Sequence, residues 1–362
     1  MRYLKAQSAH FSVGDDMETV AAILEKTGQP LVLAELKIPK LKTGQVLVKV
    51  VFSGVCHTQV LECRGYRGAD RYLPHCLGHE GSGIVQDVGP GVAKVKSGDR
   101  VVLSWIKGTG SDAGGTVYKW VDRKVNAGPV TTFSRYSIVS ENRLTVIPGD
   151  IPMREAALLG CAIPTGVGAV LNTARPRPGQ SIAVFGTGGV GLCAVAGAVL
   201  AGCVPVIAVD VKPDKLLLAK QMGATYCINA GEADPLEEIN GVCPDGLDFA
   251  IEASGRTEVM KHAFQSVRSQ GGVAVIIGNA RHGERLEIDP RQFNLGKRLF
   301  GTWGGDCRPE RDFPNYCKLL GSGKLSIQSL LSDVYPLDQI NKAIDDLEAG
   351  KVVRPLIDME EF

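Results

Sequence analysis

The feature that most restricts the possible folds of this chain is the glycine run from Gly186 to Gly191, with the sequence GTGGVG. It follows the apolar segment SIAVF and precedes a segment with helix-forming residues. In a strand–turn–helix unit, the first glycine permits a tight turn, the second lets the backbone approach a diphosphate, and the third allows close helix packing. The next apolar segment ends in Asp210, at about the spacing expected for a ribose-binding acid. A carboxylate there would repel a 2′-phosphate, so the pattern favours NAD over NADP.

Chain length and composition limit the class of protein. With 362 residues the chain is longer than one compact core usually absorbs, which predicts two domains. A net charge of +1, without blocks of like charge, gives no indication of nucleic acid or a membrane surface as partner. The N-terminus has no apolar signal core, so we expect a cytoplasmic protein whose ten cysteines are thiols or metal ligands rather than disulfides.

Two sequence textures predict the domain organisation. From Leu31 onward, short β-rich segments alternate with glycine and proline turns, and residues 107–132 are polar and glycine-rich, as in a surface excursion. A proline-rich linker at residues 175–179 precedes an alternation of strands and helices. That alternation predicts an α/β fold with a parallel sheet. The tail adds helices near residues 313–320 and 337–348 and a last strand in VVRPLID.

Cys56, His79 and Cys161 form a candidate metal site. Each is weak evidence alone, but Cys56 ends a predicted strand and Cys161 lies just before the dinucleotide unit, at the expected domain junction. Two thiolates and an imidazole can hold one zinc and leave its fourth position open. We predict core packing for several other cysteines: Cys193, Cys203, Cys227, Cys243 and Cys317.

The chain resembles the zinc-dependent medium-chain alcohol dehydrogenases, most closely the animal-type alcohol and glutathione-dependent formaldehyde dehydrogenases. The resemblance covers about residues 30–358 and rests on these segments: GVCHT, LGHEGSGIVQDVG, KSGDRVV, FSRYSIVSEN, LLGCAIPTGVGAVLN, SIAVFGTGGVGL, IAVDVKPDK, GATYCIN, LFGTWGG and GKVVRPLI. It implies a GroES-like β-rich catalytic domain at residues 1–163 and 304–362. A Rossmann NAD-binding domain, with a doubly wound parallel sheet, would occupy residues 164–303.

The resemblance also implies roles for individual residues. Cys56, His79 and Cys161 match the ligands of a catalytic zinc, Glu80 matches an acid that can approach the metal, and Thr58 matches the hydroxyl that passes on the substrate's proton. The implied cofactor-binding residues are His57, Thr165, Gly186, Gly188, Gly189, Val190, Gly191, Asp210, Lys215, Ile277 and Arg354. The implied substrate-pocket residues are Thr58, Trp105, Asn279, Thr302 and Trp303.

Three positions depart from the family pattern. The segment WIKGTGSDAGGTVYKW has no cysteine where many relatives bind a structural zinc, so we predict one zinc per chain. Gln59 stands where the family usually has an aspartate that accepts a hydrogen bond from the ligand histidine; glutamine could still accept one, without charge. Leu61 stands where some relatives carry a proton-relay histidine, so the relay would end at water or His57.

The predicted function is reversible transfer of a hydride between NAD and an alcohol or carbonyl compound. Asn279 and Thr302 suggest a polar pocket. Arginines 64, 67 and 71 either form a solvated basic loop or indicate a polar, hydroxylated or anionic substrate such as a polyol or sugar derivative. Two alternatives are a catalytically degenerate NAD-binding protein of the same fold and a zinc-free quinone or enone reductase. Zinc-free reductases of this fold lack the ligand cysteines, so the presence of Cys56 and Cys161 argues against that alternative. By resemblance, we expect a homodimer formed by edge-strand pairing.

Overall fold

The structure is a computed structural model that describes residues 17–331 and 333–361. The predictions for the N-terminus, including the start of the catalytic domain at residue 1, lie partly outside these residues. In chain order the strands are β1 Glu18–Leu24, β2 Val32–Lys37, β3 Gln45–Gly54, β4 His75–Cys76, β5 Glu80–Val88, β6 Arg100–Ser104, β7 Thr116–Trp120, β8 Arg123–Ala127, β9 Tyr136–Ser140, β10 Leu144–Val146, β11 Ile182–Phe185, β12 Val206–Asp210, β13 Tyr226–Asn229, β14 Phe249–Glu252, β15 Val273–Ile276, β16 Arg298–Gly301, β17 Val334–Pro336 and β18 Leu356–Asp358.

The α-helices before the linker are short, whereas those after it are longer, with the exception of Arg291–Asn294. They are α1 His57–Cys63, α2 Met153–Leu158, α3 Ala162–Gly168, α4 Gly189–Leu200, α5 Pro213–Gln221, α6 Pro235–Val242, α7 Thr257–Ser266, α8 Arg291–Asn294, α9 Pro309–Gly321 and α10 Ile340–Glu348. A π-helical segment, Ala169–Ala174, continues α3.

The β-rich part consists of a closed barrel and a second sheet. The barrel joins β1, β2, β7, β8 and β4, and the seven-stranded sheet has the order β10-β6-β5-β3-β18-β17, with β9 also on β3. Strand β18, near the end of the chain, pairs antiparallel with β3, so that Leu356 lies opposite Gly54. The C-terminal segment therefore returns to the first part of the chain.

The segment at residues 107–132, which is predicted to be a surface excursion, contains a β-hairpin. Strands β7 and β8 pair antiparallel from Thr116–Ala127 to Trp120–Arg123, and β7 also pairs with β2. In β7 the side chains of Thr116 and Tyr118 are buried and their neighbours face outward. This alternation is a strand signal that the flanking glycines obscured. Outside this hairpin, residues 107–115 and 128–132 form no strand or helix, as the loop interpretation predicts.

The second part is a parallel six-stranded sheet in the order β13-β12-β11-β14-β15-β16. Every pair in it is parallel. The strand order reverses direction at β11, where β12 lies on one side and β14 on the other. In sheets of this kind ligands bind beyond the carboxyl ends of the strands at the point of reversal. The predicted α/β class is confirmed, and the glycine run lies at this point.

Most cysteines predicted to pack in the core do so, with one clear exception. Cys193, Cys203 and Cys317 are buried and Cys243 is half-buried, but Cys227 is exposed. Cys227 lies on β13, one of the two edge strands of the parallel sheet, where the neighbouring Tyr226 is also exposed. No helix in the described ranges is long and apolar enough to cross a membrane.

Candidate active site

Cys56, His79 and Cys161 come together at the junction of the two parts. Cys56 precedes α1, His79 directly precedes β5, and Cys161 precedes α3. Their candidate ligand atoms all lie within 4.8 Å of one another, and Nε2 of His79 is 3.3 Å from Sγ of Cys161. Both thiols are buried. The donor set is that of a zinc ion with one position left for a substrate or water.

The electrostatics of the two thiols differ. The hydrogen bond between them lowers the pKa of Cys56 well below its ordinary value, with further lowering by the nearby Arg354 charge. The same contact raises the pKa of Cys161. The contact thus favours a thiolate within this pair, and a thiolate is the form in which cysteine binds a metal.

Glu80 lies next to the cluster but outside it. It is fully buried, forms an ion pair with Arg354, and accepts a hydrogen bond at 3.2 Å from the backbone N–H of Ala162. Burial raises its pKa, while the Arg354 charge opposes that shift. Glu80, the acid predicted to approach the zinc, is therefore paired with Arg354 and lies beside the Cys56–His79–Cys161 cluster.

Gln59 contacts the ligand histidine, but with the end of its carboxamide opposite to the one predicted. Its Nε2 lies 2.6 Å from Nδ1 of His79, whereas its Oε1 accepts a hydrogen bond at 3.1 Å from the backbone N–H of Cys56. The orientation differs from the expected one because the Cys56 N–H occupies the carboxamide oxygen that would accept from the histidine.

A cavity of about 400 Å³ extends from Cys56 to the glycine run. Many of the predicted cofactor-binding and catalytic residues line it: Cys56, His57, Thr58, Gly186, Gly188, Gly189, Val190, Asp210, Lys215, Ile277 and Arg354. Thr165 and Gly191 are not among its lining residues, nor are His79, Glu80 and Cys161. The hydroxyl of Thr58 lies 3.7 Å from Sγ of Cys56. Burial lowers the pKa of His57 on the cavity wall.

The glycine run has the geometry of a diphosphate cradle. Gly186 has φ of 87°, and a Cβ on it would lie 2.9 Å from the backbone nitrogen of Ser254. A Cβ on Gly191 would lie 1.8 Å from the carbonyl oxygen of Gly186. Gly188 has no heavy atom within 4 Å of its Cβ position and lines the cavity just before α4. Backbone N–H groups at this helix start therefore face space that an anion can occupy.

Asp210 ends β12 on the far side of the cavity. Its Oδ2 accepts hydrogen bonds from the backbone N–H of Thr187 at 2.7 Å and from its hydroxyl at 3.0 Å. Its Oδ1 accepts from the backbone N–H groups of Val211 and Lys212. These contacts fix the carboxylate against the turn of the glycine run. Sequence reasoning did not identify Lys212, Arg256 and Glu348, which also line the cavity; only Lys212 had a signal, its place after Asp210.

Only some of the predicted substrate-pocket residues line the cavity. Asn279 lines the cavity. Trp105 lies 6.4 Å from the His79 ring, between centroids, and packs edge-on against Trp303, which is 74% exposed. Thr302 shares a hydrogen bond with the Thr173 hydroxyl at 2.7 Å. Neither Thr302 nor Trp303 is a cavity-lining residue.

The three arginines near the mouth have partners of their own. Arg64 forms ion pairs with Asp345 and Glu348, and Arg67 pairs with Glu62 at 3.3 Å. The Arg71 guanidinium lies 5.0 Å from the centroid of the neighbouring Tyr72 ring. These contacts favour a structured surface loop over an anion-binding cluster.

Comparisons with known proteins agree with this geometry. Residues 42–149 match the alcohol dehydrogenase GroES-like domain and residues 189–322 match the zinc-binding dehydrogenase domain. The chain is 32% identical to "Alcohol dehydrogenase 1" of Pisum sativum, covering 97% of this chain and 99% of the relative. It is 34% identical to the S-(hydroxymethyl)glutathione dehydrogenase of Synechocystis sp., covering 94% and 100%.

A solved structure gives the same result. Benzyl alcohol dehydrogenase from Acinetobacter calcoaceticus superposes with a TM-score of 0.85 at 30% identity, covering 94% of this chain and 99% of the other. Similarity over nearly the full length, the two domain matches and the Cys-His-Cys cluster lead to one conclusion: the chain belongs to the zinc-dependent medium-chain alcohol dehydrogenases, a family of oxidoreductases.

Proposed function

We propose that this protein is an NAD-dependent alcohol dehydrogenase that uses one zinc per chain. The observation that carries the proposal is the position of Cys56, which belongs to the metal cluster and also lines the cavity shared with the glycine run. A substrate atom in this cavity could thus reach the metal and the cofactor together. The reaction of a zinc-free reductase would not require thiols at the positions of Cys56 and Cys161.

The residues present fit a catalytic zinc. Cys56, His79 and Cys161 would hold it through two sulfurs and one nitrogen, which leaves one of the usual four positions open. When bound, zinc supplies Lewis acidity toward an oxygen atom of the substrate. The hydroxyl of Thr58 lies beside Cys56 on the cavity wall, where it can take up and pass on the substrate's proton.

The residues also fit a dinucleotide. Gly188 leaves room for a diphosphate at the start of α4, and Asp210 supplies a carboxylate for the ribose hydroxyls. The hydroxyl of Thr165 is buried and has no hydrogen-bond partner in the described part of the chain, but Thr165 does not line the cavity, so the proposal does not rest on it. When bound, NAD supplies the hydride acceptor. The Asp210 charge favours NAD over NADP.

For the substrate, we propose an alcohol with a further polar group. Asn279 supports this, because it lines the cavity and its carboxamide can both donate and accept hydrogen bonds. The proposal does not include an anionic substrate, since Arg64 and Arg67 already pair with carboxylates.

We further propose that the chain forms a cytoplasmic homodimer with the domain limits predicted above, 1–163 with 304–362 and 164–303. The ten cysteines are all free, which supports a reducing compartment. The edge strand β16 carries the exposed Phe300 and is followed by the exposed Trp303, and unprotected strand edges of this kind pair readily with a second copy.

The test combines metal analysis with turnover. Purified protein should contain one zinc per chain and reduce NAD, followed by NADH absorbance, with at least one member of a panel of simple alcohols, benzylic alcohols and polyols. Cys161→Ser should lose zinc and activity. Cys227→Ser removes an exposed thiol far from the cluster and should retain both. Full activity in zinc-depleted Cys161→Ser protein would contradict the proposal.

A further inference from the structure

Gln59 makes three contacts at the base of the metal cluster. Oε1 accepts from the backbone N–H of Cys56, while Nε2 lies 2.6 Å from Nδ1 of His79 and 3.5 Å from Oε2 of Glu62. The side chain is 1% exposed, so bulk water cannot replace these partners. A backbone N–H can only donate, and it therefore determines which end of the carboxamide is oxygen.

This orientation determines where His79 carries its ring proton. Because the carboxamide nitrogen donates to Nδ1, Nδ1 carries the lone pair and the proton lies on Nε2, 3.3 Å from Sγ of Cys161. A histidine with a proton on Nε2 cannot bind a metal through that atom. Ligation needs the other tautomer, with the proton on Nδ1 and an acceptor facing it. The acceptor can be Oε1 of Gln59 only if the carboxamide rotates by half a turn.

Glu62 opposes that rotation. It lies three residues after Gln59 on α1, and Arg67 at 3.3 Å holds its other carboxylate oxygen. After rotation, Oε1 of Gln59 would face the Glu62 carboxylate and Nε2 would face the backbone N–H of Cys56. Both contacts would become repulsive, whereas both are attractive in the observed orientation.

We propose that Gln59 is a two-position element coupled to zinc ligation at His79, and that Glu62 is a positioning residue that favours the non-ligating position. Glu62 thereby sets how readily the protein exchanges its zinc. The inference rests on the zinc site of the proposed function. It opposes the effect of simple electrostatics, in which a nearby carboxylate would strengthen binding of a cation.

The inference is testable because it predicts that removing the Glu62 charge slows zinc release, whereas simple electrostatics predicts that it speeds release. Zinc-loaded holoprotein is mixed with excess chromogenic chelator at fixed pH, and the rate of zinc release is measured. Glu62→Gln should release zinc about tenfold more slowly, the size typical of changes to a partner of a metal ligand. A neutral amide at position 62 can donate to the rotated carboxamide oxygen. Glu35→Gln, an exposed control on β2, should behave as the wild type.

A second background tests whether the effect passes through Gln59. Gln59→Leu removes the carboxamide, should speed zinc release, and should abolish the effect of adding Glu62→Gln. Unchanged or faster release from Glu62→Gln in the wild-type background would overturn the inference, as would equal slowing in the Gln59→Leu background. Either result would leave the proposed zinc site intact, whereas a wild-type protein that holds no zinc would overturn both.

Discussion

Glu80 and Arg354 form an ion pair in which the residues are 0% and 3% exposed. Glu80 follows the ligand His79 at the start of β5, and Arg354 precedes β18 in the segment that returns from the end of the chain. Because Arg354 also lines the cavity, the pair joins the surroundings of the Cys56–His79–Cys161 cluster to the wall of that cavity. It is also one of the contacts that hold the C-terminal segment in place.

Removing one member of this pair should be costly. Glu80→Gln leaves the Arg354 guanidinium buried without a counter-charge, and we expect the free energy of unfolding to fall by about 3–5 kcal/mol. Urea denaturation measures the change. The double variant Glu80→Gln with Arg354→Met removes both charges and should recover most of the loss. A single variant as stable as the wild type would show that the arginine is solvated, contrary to the structure.

Replacing glycine by alanine should have different effects at two positions of the glycine run, on stability at Gly191 and on NAD binding at Gly188. Gly191→Ala places a methyl group 1.8 Å from the carbonyl oxygen of Gly186, so the turn must shift. We expect a loss of about 2 kcal/mol in the free energy of unfolding, as for other overpacked sites. Gly188→Ala meets no atom within 4 Å, so stability should be retained while the KM for NAD rises about tenfold, because the methyl group occupies the diphosphate space.

Thermal unfolding and NAD kinetics measure both effects, with Gly241→Ala as a control at a site that is open but distant from the cavity. If Gly188→Ala left the KM for NAD unchanged, the cradle would have to lie elsewhere in the cavity.

The cluster of Cys56, His79 and Cys161 and the turn at the glycine run could be expected from the sequence, because each depends on residue types in a recognisable pattern. The contacts that surround those residues could not be predicted in the same way. Nothing near Glu80 in the sequence indicates Arg354, since the contact depends on how β18 pairs with β3. The orientation of Gln59 depends on a backbone N–H at Cys56, which no pattern of side chains reports. The positions of Thr302 and Trp303 outside the cavity follow from tertiary packing against Thr173 and Trp105.

Asp210 should determine the choice between NAD and NADP. In Asp210→Asn the negative charge that repels a 2′-phosphate is lost, so the ratio of kcat/KM for NAD to that for NADP should fall at least about tenfold. The carboxamide keeps one acceptor oxygen, so the donors on one side of it, Thr187 or Val211, lose their acceptor, which should lower the free energy of unfolding by about 1 kcal/mol.

Asp214→Asn is the matched control for this change, because Asp214 is an exposed carboxylate at the start of α5 outside the cavity lining. Its cofactor preference should equal that of the wild type. An unchanged preference in Asp210→Asn would place the adenosine ribose away from this carboxylate.

Glu141 should make stability depend on acidic pH. Its carboxylate accepts hydrogen bonds from the backbone N–H groups of Ala93, Lys94 and Ser111, at 2.6–2.7 Å, and so anchors the glycine-rich loop before β7. Burial acts to raise its pKa, but these hydrogen bonds outweigh it and lower the pKa from 4.5 to about 2. A carboxyl whose pKa is lower in the folded state adds stability above its unfolded pKa, and that contribution disappears as the pH falls toward the folded pKa.

Glu141→Gln should therefore lower the free energy of unfolding by about 2 kcal/mol at pH 7, because charge-assisted hydrogen bonds are lost. The gap between wild type and variant should narrow as the pH falls from about 4.5 toward 2, because the wild type loses the same contribution by protonation. Urea denaturation at pH 7, 5, 4 and 3 measures the gap, with Glu35→Gln as the exposed control. A gap that stays constant down to pH 3 would mean that the hydrogen bonds do not depend on the carboxylate charge.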